Sequence, residues 1–163
     1  MCDYCGCRRQ AAIDELSDEH DRLLNLAYGL RRAARRDDHA TVIATLDTQI
    51  VPLLRRHTDK EERGLFTQLR RAWAVDERLD SLVGEHRDIE GQIDRVRAGG
   101  TAWKVHVRQL ADTLSTHIMD EETDLFPYAL YELDAAQWAA IDAVHDAATD
   151  QPDLDVEVAA GGR

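Results

Sequence analysis

Four apolar seams run through this 163-residue chain, and a histidine stands near the middle of each. The first seam is Ile13, Leu16, His20, Leu23, Ala27, Leu30 and Ala34. The second is Val42, Leu46, Ile50, Leu53, His57, Glu61, Gly64 and Gln68. The third is Leu79, Leu82, His86, Ile89 or Glu90, Ile93 and Val96, and the fourth is Trp103, Val107, Leu110, Leu114, His117, Glu121, Leu125 and Tyr128. Steps of three and four place each set on one stripe of an α-helix, the stripe that a bundle buries. Four such helices with short connections predict an all-α fold, an up-down-up-down antiparallel four-helix bundle. A shorter fifth helix is expected over about 134–148, with Ala135, Trp138, Ile141, Val144 and Ala148 on one side.

The punctuation fits. Helix 1 is expected over about 10–36, and Asp37 or Asp38 can cap the next helix. Pro52 lies inside the second seam, where a missing N–H predicts a kink or local break. The glycines of "AGG" (98–100) end helix 3, Thr101 can cap helix 4, and Pro127 loosens its last turns.

The seams pair off. His57 and His117 are 60 residues apart, as are Glu61 and Glu121, and "EERGLFTQL" answers "EETDLFPYAL". "DEHDRLLNL" and "GEHRDIEGQ" match around His20 and His86. The chain reads as two copies of one helical hairpin, each of the form His … His-x-x-x-Glu. Residues i and i+4 lie about 40° apart around a helix and about 6 Å along it, so such a His and Glu can grip a metal from one side. Buried carboxylates without partners are costly, and buried imidazoles need hydrogen bonds. A pair of metal ions meets both needs. Glu61 and Glu121 can bridge two metals while the imidazoles divide between them, and a mixed N/O set with open positions suits iron or manganese, with zinc also accommodated. Taken singly, each piece has a plainer reading: a lone seam histidine is commonly core, and a lone HxxxE is commonly a surface pair. Four histidines in register with repeated glutamates favour the metal. Ferritin-type bundles use Glu-x-x-His instead, a different order and spacing.

The series His20 … "HTDKEERGLF" … "GEHRDIE" … "HIMDEETDLFP" resembles the hemerythrin-like family over roughly residues 10–132. Its HHE-type domains are four-helix bundles holding a non-haem di-iron site. The resemblance implies two iron ions, oxo- or hydroxo-bridged, with His20 and His57 on one, His86 and His117 on the other, and Glu61 and Glu121 between them. Oxygen-carrying members have a further histidine one turn after the third, where this chain has Glu90. That residue is either a carboxylate ligand or a partner behind one. Those members also set their last bridging acid five residues after its histidine, and here Glu121 stands at +4 and Glu122 at +5. The repeat favours Glu121. Both departures add negative charge, which favours ferric iron. Glu62 and Glu122 are read as solvated or as hydrogen-bonding behind the ligands, His39, His106 and His145 as surface or packing residues, and Tyr28 and Tyr128 chiefly as packing.

Composition limits the partners. The chain has 20 Lys and Arg against 32 Asp and Glu, a net charge of −12. That field repels phosphate backbones and anionic membranes, so neither nucleic acid nor membrane is expected as a partner. No apolar run reaches a bilayer's span, and "MCDYCGCRRQ" lacks a signal peptide's apolar core, so the expected location is the cytoplasm. Cys2, Cys5 and Cys7 form C-x-x-C-x-C in residues 1–9. They offer either an extra metal or redox site or an inert tail. Residues 10–148 form the expected bundle, and 149–163 an acidic, flexible tail. Three roles remain open: binding or sensing a small ligand (oxygen, nitric oxide, peroxide or iron itself), oxidoreductase breakdown of hydrogen peroxide in the manner of a catalase, or iron-dependent ordering read by a protein partner or a second copy.

Overall fold

A computed structural model describes residues 10–72 and 76–149. Among these residues the chain is all-helical, in five helices. Helix α1 is Ala11–Arg35. Helix α2 covers 39–72 as three α-helical stretches, His39–Thr45, Val51–Lys60 and Phe66–Ala72, joined by π-helical turns at Leu46–Ile50 and Glu61–Leu65. Helix α3 is Asp76–Ala98. Helix α4 covers 103–132, with a π turn at Glu121–Leu125 between Trp103–Asp120 and Phe126–Glu132. Helix α5 is Ala135–Thr149.

Helix ends follow local chemistry. Asp38 accepts the Thr41 backbone N–H at 3.0 Å, closing the start of α2, while Asp37 takes a left-handed φ of 62° in the turn. Gly99 and Gly100 take φ of 70° and 76°, the conformation that stops α3. The cap expected from Thr101 is not formed: Ala102 is the cap residue of α4 and offers no side-chain bond. Asp134 does cap, accepting the N–H groups of Ala136 and Gln137 at 2.9 Å each.

The interruption expected near Pro52 takes the form of a π turn. Pro52 sits in the first turn of Val51–Lys60, directly after that π turn, which is closed by the Val51 N–H donating to Leu46 O. The wider turn absorbs the proline's missing donor and bulk. Pro127 follows the π turn of α4 in the same way.

The core has two apolar blocks. One holds Leu23, Leu30, Leu46, Ile50, Leu54, Ile89, Ile93, Val107, Leu110 and Leu114. The other holds Ile13, Leu16, Leu65, Phe66, Leu69, Leu79, Leu82, Leu125, Phe126 and Ile141. Along each of the four long helices the seam histidine lies near the boundary where one block gives way to the other. α1 packs along α2 and α4, and α3 along α4. α5 lies against α1 and α2, where Gly64 permits close approach: a Cβ there would stand 3.6 Å from Ile141 and Val144. No described helix is long and apolar enough to cross a membrane.

Candidate metal centre

The polar layer between the two blocks consists of His20, His57, His86, His117, Glu61 and Glu121, each at most 4% exposed. They form two overlapping groups, His20/His57/Glu61/Glu121 and Glu61/His86/His117/Glu121. Within each group every residue offers a ligand atom within 4.8 Å of all the others. Both glutamates belong to both groups. Glu61 Oε1 lies 3.3 Å from His57 Nε2, and its Oε2 lies 3.3 Å from His86 Nε2, so its two oxygens face opposite halves. Glu121 Oε2 lies 3.2 Å from His20 Nε2 and 3.4 Å from His117 Nε2. His86 Nε2 and His117 Nε2 face one another at 3.1 Å.

The local backbone explains this convergence. Glu61 and Glu121 each open a π turn, closed by the N–H of Phe66 and Phe126 donating back to the glutamate's own carbonyl. An i→i+5 bond brings residues five apart roughly onto one face. Glutamate and phenylalanine therefore both point inward. Phe126 stacks on His20 with centroids 5.5 Å apart and planes 4° apart, and Phe66 on His86 at 6.0 Å and 12°. The seam continues through Leu65 and Leu69 in α2 and through Leu125 and Ala129 in α4. Gly64 and Gln68, which the plain three-four spacing selects in α2, are buried beside it, and Tyr128 in α4 is half-buried.

Each imidazole is held from behind by a carboxylate. His20 Nδ1 donates to Glu122 at 2.8 Å, His57 Nδ1 to Glu19 at 3.0 Å, His86 Nδ1 to Glu62 at 2.7 Å and His117 Nδ1 to Glu85 at 2.9 Å. These bonds fix the rings with Nε2 facing inward. Glu62 and Glu122 thus stand behind ligand-type side chains. Glu19 and Glu85 join them, outside the candidate ligand set that spacing picks out. Their signal was the Glu-His step repeated in "DEHDRLLNL" and "GEHRDIEGQ", where the acid precedes the histidine and serves a neighbouring helix.

The electrostatics are those of a charged, dry cluster. Burial disfavours the His57 imidazolium, but the Glu61 carboxylate and then Glu19 outweigh it and push His57 up to about 10. Burial also opposes His86, and its contacts with Glu61 and Glu62 push it up to about 9. His20 is raised against its burial by Glu121 and Glu122. Glu61, which burial alone would raise, is instead held well below the ordinary carboxylate range by His57 and His86. Even so, His20 Nε2, His57 Nε2 and all four oxygens of Glu61 and Glu121 are buried without hydrogen-bond geometry to any neighbour. Six convergent, unsatisfied ligand atoms of N and O type fit a metal pair.

Glu90 lies outside both groups. It is exposed, and it lines a polar pocket of about 290 Å³ with Thr58, Asp59, Glu62 and His86. On α3 it follows His86 by four residues, but the adjacent Ile89 takes the inward position. Tyr28 is 59% exposed, and Tyr128 packs partly buried against the second apolar block. His145 is buried on α5, where its Nδ1 donates to Glu15 at 2.7 Å. Cys2, Cys5 and Cys7 lie outside the described residues.

Comparison with known proteins adds one finding. The family profile for the hemerythrin HHE cation binding domain matches residues 11–129, from the start of α1 to the last turn of α4. No curated protein and no solved structure matches the chain.

Proposed function

The chain belongs to the hemerythrin HHE cation binding domain family, and we propose that it is a non-haem di-iron protein whose centre binds or senses a small ligand: oxygen, nitric oxide, peroxide or iron itself. The observation that carries this reading is the set of unsatisfied buried ligand atoms, shared between two groups through Glu61 and Glu121. His20 and His57 would hold one iron, His86 and His117 the other, and the two glutamates would serve both. When bound, such a pair supplies open coordination positions and one-electron redox capacity. The chain supplies the rest. Glu19, Glu62, Glu85 and Glu122 orient the imidazoles, Phe66 and Phe126 cover two of them, and the apolar blocks exclude bulk water from above and below.

The pocket that reaches His86 is small and polar, which favours a small ligand over an organic substrate. Glu90 lines that pocket, and we assign it no place in the coordination set. The order of the two apolar blocks reverses from each long helix to the next. That supports an antiparallel up-down-up-down arrangement.

Protein isolated without added metal is expected to carry two irons per chain and the near-ultraviolet absorption of a bridged ferric pair. Dithionite followed by oxygen should bleach and restore a charge-transfer band. Zinc alone, or less than one metal per chain, refutes the di-iron reading.

One observation favours peroxide breakdown as a second reading. The Glu62 side chain is 40% exposed and touches His86 Nδ1, so it links the centre to bulk water, as proton-coupled turnover requires. Sustained oxygen evolution from hydrogen peroxide, lost in His57→Ala and Glu61→Ala, selects that reading. A large thermal stabilisation by iron without turnover selects a regulator read by a partner. In each case we assign the protein to the reducing cytoplasm, where Cys2, Cys5 and Cys7 would remain thiols able to take a further metal.

A further inference from the structure

The two halves of the centre are related residue by residue. An offset of 66 carries Glu19 and His20 onto Glu85 and His86, and an offset of 60 carries His57, Glu61, Glu62 and Phe66 onto His117, Glu121, Glu122 and Phe126. Among the positions where the relation breaks, two stand behind the ligand set, around Glu19. Lys60 corresponds to Asp120, and Glu15 corresponds to Ser81.

That failure has a structural consequence. Lys60 is 3% exposed, and its Nζ donates to Glu19 Oε1 at 2.7 Å and to Glu15 Oε1 at 2.6 Å. The other oxygen of Glu19 receives His57 Nδ1 at 3.0 Å, and the other oxygen of Glu15 receives His145 Nδ1 from α5. One half of the centre is thus backed by a chain of five side chains running from α5 through α1 and α2 to His57. In the other half, Glu85 meets Ser81 Oγ at 3.4 Å, and its side chain is 28% exposed against 10% for Glu19. Asp120 turns to the surface, 3.7 Å from Arg78.

A buried ammonium is expensive to desolvate, and an apolar side chain of similar size would fill the space without that cost. What the ammonium adds is fixity. With one oxygen clamped by Lys60, Glu19 can present the other to His57 in a single orientation, which aims His57 Nε2 at the cluster. We propose that Lys60 is a positioning residue for the metal held by His20 and His57, and that the two metal positions are consequently unequal, the Lys60-backed one being preorganised. This rests on the two-metal reading above.

The test is an anaerobic calorimetric titration of the full-length apo chain with ferrous iron, accompanied by ⁵⁷Fe Mössbauer spectra of the loaded protein. Wild type should take two equivalents. Lys60→Met should weaken one equivalent about 10–100-fold, the range that loss of an orienting partner produces, and leave the other unchanged. One Mössbauer doublet should shift while the second stays, and Lys60→Arg should restore both. Asp120→Ala should alter neither equivalent. Equal weakening of both equivalents by Lys60→Met, no weakening, or the same loss in Asp120→Ala overturns the inference. Should Lys60→Met fail to fold by circular dichroism, Lys60→Gln must show the same one-sided loss; an equal loss at both equivalents, or none, likewise overturns it. Fewer than two equivalents in wild type overturns the two-metal reading and the inference together. Two equivalents in wild type with Lys60→Met unchanged overturns the inference alone.

Discussion

Loading the metal-free protein should expel protons, and their number can be worked from the site. Without metal, His57 is pushed up to about 10 and His86 to about 9, and His20 is also raised. At pH 7 the first two are imidazolium. Glu61, held well below its ordinary range, is already a carboxylate and has no proton to give. A metal needs each Nε2 lone pair, so loading must remove the protons from His57 and His86 and whatever His20 carries, at least about two per chain. Displacing a proton at pH 7 from a group titrating about three units higher costs about 4 kcal/mol, and about two units higher about 3 kcal/mol. The apparent affinity for the pair should therefore rise about 100-fold or more for each pH unit between about pH 6 and pH 8, a log–log slope of about two or more. Calorimetric titration with ferrous iron at pH 7, in buffers of differing ionisation enthalpy, counts the protons directly. Release of fewer than one proton per chain would refute the reasoning. The imidazoles would then be neutral in the metal-free state, and the buried carboxylates would need some other counter-charge.

The same shifts set the acid and alkaline limits of the metal-free protein. The raised histidines give stability that is complete below their unfolded value near 6.5 and is lost as pH rises through about 9 to 10. The lowered Glu61 gives stability present above its unfolded value near 4.5 and lost as pH falls through its folded value. Melting scans should thus peak between about pH 4.5 and 6.5 without metal and extend to higher pH with it. Phe126→Ala removes a fully buried ring that stacks on His20, and should cost about 3–5 kcal/mol in denaturant unfolding. Gly64→Ala should be tolerated, because its Cβ meets Ile141 and Val144 at ordinary contact distance, whereas Gly64→Leu should loosen α5 and expose Trp138 to fluorescence quenchers. Glu90→Gln should leave bound metal at the wild-type level by elemental analysis, whereas Glu61→Ala should lower it; a metal loss on Glu90→Gln would return that side chain to the coordination set.

Much of this was legible because burial and periodicity speak the same language. Ile13, Leu16, His20, Leu23, Ala27 and Leu30 are all buried in α1, and Leu79, Leu82, His86, Ile89, Ile93 and Val96 in α3, as a strict three-four seam requires. Helices α2 and α4 were harder. A seam read at 3.6 residues per turn drifts once an extra residue enters a turn. The insertions after Glu61 and Glu121 turn a glutamate and the phenylalanine five residues on to the same inward face. Proline marked two of the three π turns from the far side, at Pro52 and Pro127. In the turn at Glu61 the matching residue is Thr67, whose hydroxyl donates to the Glu62 carbonyl at 3.0 Å.

The carboxylates behind the histidines show a second kind of legibility. Glu19 does not serve its neighbour His20, and Glu85 does not serve His86. Each crosses to the histidine of the next helix, and Glu62 and Glu122 cross likewise. A reading confined to single helices therefore gives Glu19 and Glu85 no task. Comparison of the two hairpins recovers them, because surface glutamates have no physical reason to keep an offset of 66 or 60 from a buried histidine unless packing binds them to it. The same comparison isolates Lys60. A duplicated hairpin supplies its own control, and a buried cation present in one copy and replaced by an acid in the other marks where the two halves of the centre cease to be equivalent.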